Sequence, residues 1–180
     1  GHDVRVLIPK YRGAEFHAKE VRAAIPRLFV PLGDRQVEGA LLEGRAPSGV
    51  PTYFLAQDHY YDRDGLYGAT DGDYWDNCER FVFFCRGALE AMARLGEGDG
   101  WRPQVVHAND WQTGLVPVYL QTLYRDHPWL GRAATVFTIH NLAYQGVFWH
   151  YDVPMTGLGW DLFTPAGFEF YGRMNFMKGG

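Results

Sequence analysis

An α/β layer sandwich assembled from right-handed βαβ units is the fold this sequence predicts, on three observations. Short β-branched apolar runs recur without polar alternation, which is the character of parallel strands covered on both faces. One long segment between two of those runs carries a helical stripe. The order strand, helix, strand, helix, strand from Pro51 to Ile139 then fits parallel strands joined by crossover helices.

The first strand is expected over Val4 to Ile8 (VRVLI). Between Arg27 and Arg45 the pieces RLFVPL and QVEGALLEGR alternate more and are broken by Pro31, Gly33 and Gly39, so a small antiparallel excursion is expected there. Pro51 to Ala56 (PTYFLA) is the next strand. The clearest helix is expected from about Tyr74 to Leu95, because Cys78, Phe81, Cys85, Leu89, Met92 and Leu95 fall on one face of a cylinder with 3.6 residues per turn. Gly96 is expected to end it. Val105 to His107 forms a further strand, and a second helix follows from about Trp111 to Tyr124, kinked at Pro117. Thr135 to Ile139 is the last strand. The loop Gly96 to Gly100 (GEGDG) follows a helix, whereas a phosphate-cradling loop follows a strand.

The chain has 180 residues, of which 47% are hydrophobic and 21% charged, so it is built to fold around a core. A net charge of -4, with Lys10, Lys19 and Lys178 as the lysines and no run of cations, argues against a nucleic-acid partner. No apolar stretch approaches the roughly 20 residues of a membrane span, and no basic-then-apolar opening marks a secretory leader. Cys78 and Cys85 stand seven residues apart on the expected helix, about 10 Å along its axis, too far for a disulfide. Two reduced core thiols are expected. The chain opens without Met and closes on Gly179-Gly180 after a helix-like segment, as a piece of something longer would.

In open parallel sheets, ligands gather beyond the carboxyl ends of the strands. Three segments occupy such positions: HANDWQTG from His107, TIHNLAYQG from Thr138, and DRDGLYG from Asp62. If the first two are neighbours, His107, Asp110, His140 and Asn141 face one crevice. Asp110 stands where a helix cap belongs, and capping alone would account for it. His107 directly follows buried valines, so a structural histidine bonded to backbone is carried beside a substrate-binding one. His140 ends a strand and is better placed for ligand contact. Tyr67 lies in a turn-rich loop as a candidate for stacking on a sugar or donating a hydroxyl hydrogen. Trp149, Tyr151, Trp160 and Tyr171 are read mainly as packing residues, with an aromatic platform built from some of them as the alternative.

HANDWQTGLVPVYL and FTIHNLAYQGVF, with the opening GHDVRVLIPKY and the closing FEFYGRMNFMKGG, closely resemble the N-terminal domain of bacterial glycogen synthases and plant starch synthases. The likeness runs in order over essentially the whole chain. It implies a Rossmann-like parallel sheet with flanking helices, one half of a two-domain glycosyltransferase of the GT-B type. Residues 1–180 would be a partial N-terminal, acceptor-side domain, lacking the first strand, loop and helix and the C-terminal nucleotide-binding domain. The implied activity is retaining transfer of glucose from ADP-glucose to an α-1,4-glucan, glycogen or starch, with no metal and no cofactor beyond the donor substrate.

By position in the matching motifs, Asp110 and His140 resemble the family's catalytic-site residues, while Asn141 and Tyr67 resemble lining residues on the sugar side. Placement would be cytoplasmic, or plastidic in a plant. Two rival readings use the same residues: a non-catalytic carbohydrate-binding protein, and a metal-assisted hydrolase with His107, Asp110 and His140 as ligands.

Overall fold

The computed structural model describes residues 1–180. Strands β1 (Val6–Pro9), β2 (Lys19–Leu32), β3 (Arg35–Arg45) and β4 (Pro51–Ala56) form one sheet in the order β1-β4-β3-β2. β1 runs parallel to β4, with Leu7 opposite Tyr53, whereas β3 is antiparallel to both β4 and β2. The antiparallel excursion reaches back to Lys19, well beyond the expected start at Arg27. Pro31 does not interrupt it, because β2 is the outer strand of the sheet and an outer strand can spare a donor.

After β4 come a single helical turn, α1 (Asp58–Tyr61), the short hairpin β5 (Gly68–Ala69) and β6 (Gly72–Asp73), and the long helix α2 (Asn77–Gly98). Strand β7 (Val105–Asn109), helix α3 (Leu115–Gln121) and strand β8 (Ala134–Thr138) follow. β7 and β8 are parallel, with Asn109 opposite Thr138. A small antiparallel sheet of β9 (Val147–Trp149), β10 (Glu169–Phe170) and β11 (Arg173–Asn175) closes the chain, with one-turn helices α4 (Val153–Thr156) and α5 (Phe176–Gly179).

Two parallel pairs are present, β1 with β4 and β7 with β8, but the single parallel sheet expected is divided, since the two sheets are not hydrogen-bonded to each other. A cavity of about 670 Å³ lies between β1 and β7, lined by Val4, Arg5 and Leu7 on one side and by Val105, Val106 and His107 on the other. The strands are therefore not covered on both faces as their composition predicts. Val105 is 54% exposed, while its neighbours Val106 and Ala108 are buried. Apolar composition sets what a strand tolerates, and the packing around it sets what it buries.

Helix α2 begins three residues later than expected and runs through Gly96 to Gly98. Gly96 is an internal residue on which the Trp129 ring lies; a Cβ there would meet the indole Nε1 at 2.8 Å. Close approach, not termination, is what this glycine supplies. The single expected stripe is also too narrow: Phe81, Val82, Phe83 and Phe84 are all buried, so the helix is covered nearly all round in its first turns.

The second helix is shorter than expected, starting with a 3-10 turn over Trp111–Thr113 before α3. Pro117 is the third residue of α3, where an N–H has no partner within the helix, so proline costs no hydrogen bond. Cys78 and Cys85 are free and buried, and burial pushes the Cys85 thiol up to about 12. No helix is long and apolar enough to cross a membrane.

Candidate functional site

The parallel register of β7 and β8 brings their carboxyl ends side by side. The ladder continues one step past the strands, with Asp110 N–H donating to the Thr138 carbonyl at 2.8 Å. There the backbone turns sharply: Asp110 has φ 58 and ψ 178, a conformation nearly confined to glycine. The turn aims the carboxylate across to the segment after β8. Its Oδ1 accepts from the His140 backbone N–H at 2.7 Å, and its Oδ2 lies 2.9 Å from His140 Nδ1.

This overturns capping as the role of Asp110. It occupies the cap position of the 3-10 turn, yet its side chain makes no capping bond; Thr113 Oγ1 serves the local carbonyls of Asn109 and Asp110. A residue 30 positions away has won the carboxylate.

An ionised carboxylate only accepts, so His140 Nδ1 carries the hydrogen in this pair, and in the neutral tautomer that this fixes Nε2 is the acceptor. Burial pushes the Asp110 carboxyl up, but the bonds from the His140 backbone and ring, together with the imidazole charge when protonated, outweigh it and hold the group below its ordinary range. The aspartate stays charged.

Beside the pair lies a cavity of about 270 Å³. Tyr67 and Asp73 line it from the loop and hairpin ahead of α2, Asp110, Trp111 and Gln112 from the end of β7, and Asn141 and Tyr144 from the segment after β8. Burial, and then the negative charge of Asp110, raise the Tyr67 phenol, which therefore keeps its hydrogen as a donor. Asn141 Oδ1 accepts from Ala143 N–H at 3.0 Å, fixing the turn that carries it. No Lys or Arg lines this cavity. Its chemistry suits a neutral polyhydroxylated ligand and offers nothing to a phosphate.

Tyr67, Asp110, His140 and Asn141 thus come together as the motif positions predict. His107 does not join them. It lines the larger cavity between β1 and β7, with Nε2 2.7 Å from Thr138 Oγ1, a side-chain hydroxyl in place of the expected backbone partner. Strand alternation sends it to the same open side as Val105. The metal-site rival accordingly lacks its third ligand, and no group of three or more His, Cys, Asp and Glu side chains converges anywhere. The motif pair Asp110–His140 borders the smaller cavity and not the larger, so the smaller one is the candidate site.

Several contributors escaped sequence reasoning. Trp111, Gln112 and Tyr144 lie inside the two quoted motifs without having been singled out, and Asp73 gave no signal at all. The floor is Trp111, whose ring meets Phe81 at 4.8 Å, Phe148 at 5.7 Å and Tyr67 at 6.1 Å. Gly146 (φ 65) lies against that ring; a Cβ there would be 2.4 Å from Trp111 Cε3.

Arg80, fully buried in α2, holds the Tyr67 loop. It donates to the carbonyls of Tyr60 at 2.7 Å and Leu66 at 2.9 Å and to Asn77 Oδ1 at 2.6 Å. Arg63 pairs through two bonds, 2.7 and 2.5 Å, with the buried Asp76 at the start of the same helix. An arginine leading straight into the apolar run FVFFC was the available signal for the first of these clamps.

The family described as the starch synthase catalytic domain matches residues 1–180. A glycogen synthase of Syntrophotalea carbinolica is 44% identical over 180 residues, covering all of this chain. Glycogen synthase 2 of Geobacter sulfurreducens is 45% identical over 179 residues, or 99% of the chain. In both cases the chain spans 36% of the relative's length. Among solved structures, the catalytic domain of starch synthase IV from Arabidopsis thaliana, bound to ADP and acarbose, is similar with a TM-score of 0.84 and 28% identity, over 99% of this chain and 36% of that one.

Proposed function

Because the chain belongs to the starch synthase catalytic domain family, we propose that it forms the acceptor-side part of a retaining glucosyltransferase. That enzyme moves glucose from ADP-glucose to the non-reducing end of an α-1,4-glucan. The observation that carries the reading is the hydrogen-bonded pair Asp110–His140 beside a cation-free cavity lined by Tyr67, Asp110 and Asn141. Breaking the bond between glucose and a diphosphate builds positive character on the sugar ring, and fixed oxygen dipoles and carboxylates near it stabilise that charge without reorganising.

Asp110 supplies the fixed negative charge and orients His140. The His140 Nε2 acceptor is placed for a sugar hydroxyl, and the Tyr67 phenol and Asn141 amide complete a neutral wall. The departing diphosphate needs cations, which this cavity lacks, so its charge is met by the polypeptide outside these residues. His107, set apart beyond Thr138, has a positioning role at most.

The test is glucose incorporation from ADP-glucose into a maltooligosaccharide by the complete polypeptide, wild type against His140→Ala. Turnover is expected to fall on the order of 100-fold, with α-1,4 linkages in the wild-type product. Absence of transfer by the wild type defeats the activity. Full turnover in the variant defeats the site.

A further inference from the structure

His107 opens on the larger cavity and does not line the smaller one, so the pocket chemistry leaves it without a task. Its side-chain partner is Thr138 Oγ1, 2.7 Å from Nε2. In the parallel register His107 stands opposite Val136 and Asn109 opposite Thr138, so this bond crosses from β7 to β8 on the diagonal. No other side-chain hydrogen bond joins the two strands, and β8 is laddered to β7 alone.

Both members of the Asp110–His140 pair depend on where Thr138 lies. Its carbonyl accepts the Asp110 N–H at 2.8 Å, and His140 follows it by two residues. Asp110 adopts φ 58, ψ 178, a conformation that persists only where the surroundings over-determine it. Three of the bonds that do so come from the β8 side: the one to the Thr138 carbonyl, and the two from His140 to the carboxylate. Thr138 is β-branched and has few side-chain rotamers, so holding its hydroxyl also holds the backbone that carries its carbonyl.

From this arrangement we propose that His107 is a positioning residue for the Asp110–His140 pair, acting through the Thr138 hydroxyl, and not a substrate ligand. The inference rests on the reading that the pair serves glucosyl transfer. A hydroxyl both gives and accepts a hydrogen, so Thr138 meets Nε2 in either neutral tautomer of His107 and in the imidazolium. The tie is therefore one of geometry and not of charge. Without it the end of β8 is free to shift against β7, and His140 shifts with it relative to the carboxylate. A misplacement of about 1 Å can cost on the order of 100-fold in turnover, and a partial loosening correspondingly less.

The experiment measures kcat and the KM for maltotriose on the complete polypeptide. His107→Ala and Thr138→Val are each expected to lower kcat about tenfold and to leave KM within about twofold. His107→Gln, whose amide reaches the same point, and Thr138→Ser, which keeps the hydroxyl, are expected to return kcat to within about threefold of wild type. The double variant His107→Ala/Thr138→Val is expected to lose no more than either single one, because both remove the same bond. Unchanged kcat in His107→Ala overturns the proposal. So does a rise in KM without a loss of kcat, which would make His107 a substrate contact. Losses that multiply in the double variant, or a glutamine no better than alanine, overturn it as well. Should His107→Ala fail to fold, Thr138→Val and its rescue by Thr138→Ser decide the same question.

A second readout follows the His140 ring itself, by the 15N spectrum of protein carrying labelled histidine, with His140→Ala supplying the assignment. Wild type is expected to show the hydrogen on Nδ1, and His107→Ala a mixture of tautomers; an unchanged ring spectrum overturns the proposal. This spectrum needs no turnover. A wild type that transfers nothing, but whose His140 loses its single tautomer in His107→Ala, defeats the proposed activity and leaves the positioning standing.

Discussion

Replacing Asp110 by Gly and, separately, by Ala distinguishes the backbone cost of this residue from its bonds to His140. Both variants lose two hydrogen bonds to a charged acceptor. Such bonds contribute about 1.5–3 kcal/mol each when buried, and less than half of that here, since the carboxylate side chain is 31% and the imidazole 62% exposed. That loss is common to the pair. Alanine keeps a Cβ at φ 58, ψ 178, whose strain is on the order of 1–3 kcal/mol. Glycine removes the strain but adds about 0.5–1 kcal/mol of unfolded-chain freedom. Asp110→Gly is therefore expected to be the more stable variant by about 1 kcal/mol, roughly 2–4 °C in melting temperature for a unit of this size. Turnover is expected to fall on the order of 100-fold in both, because His140 loses the carboxylate that orients it. Thermal melts and initial rates on the complete polypeptide give the two readouts. An alanine variant as stable as the glycine one refutes the strain, and undiminished turnover in either refutes the role of the carboxylate.

Gly146→Ala forces a Cβ into the Trp111 ring at a positive φ; it is expected to destabilise by about 1–3 kcal/mol, read from the urea midpoint. Arg80→Met leaves the Tyr60 and Leu66 carbonyls and Asn77 Oδ1 without their donor. It is expected to cost about 3 kcal/mol or more and to raise the acceptor KM by loosening the Tyr67 loop, which unfolding and kinetics check together. The folded Asp110 carboxyl titrates below its ordinary 3.8, so the stability it contributes is complete above that value and disappears as pH falls through the lower folded one. Unfolding midpoints measured on the acid side should therefore depend less steeply on pH in Asp110→Ala than in wild type. With its thiol held near 12 by burial, Cys85 is expected to resist alkylation at neutral pH until the protein unfolds, as mass spectrometry of labelled samples would show.

The sequence alone placed the strands around Val106 and Val136, the strand Pro51 to Ala56 and the long helix between them, because periodicity and β-branching are local properties of the chain. It also expected His107, Asp110, His140 and Asn141 to share one crevice if the two strands were neighbours; the last three come together there, and His107 does not. Tertiary structure decided what those residues do there. Whether Asp110 caps its own turn or grips an imidazole 30 residues on is a contest between two sets of donors, and only the register of Asn109 against Thr138 positions the distant set. The same holds for Gly96, a helix stop by local rule that becomes internal because Trp129 lies upon it. His107 and Trp149 turn outward, and Arg80 inward, for one reason: burial depends on which neighbour covers a face, and that neighbour is rarely close in sequence.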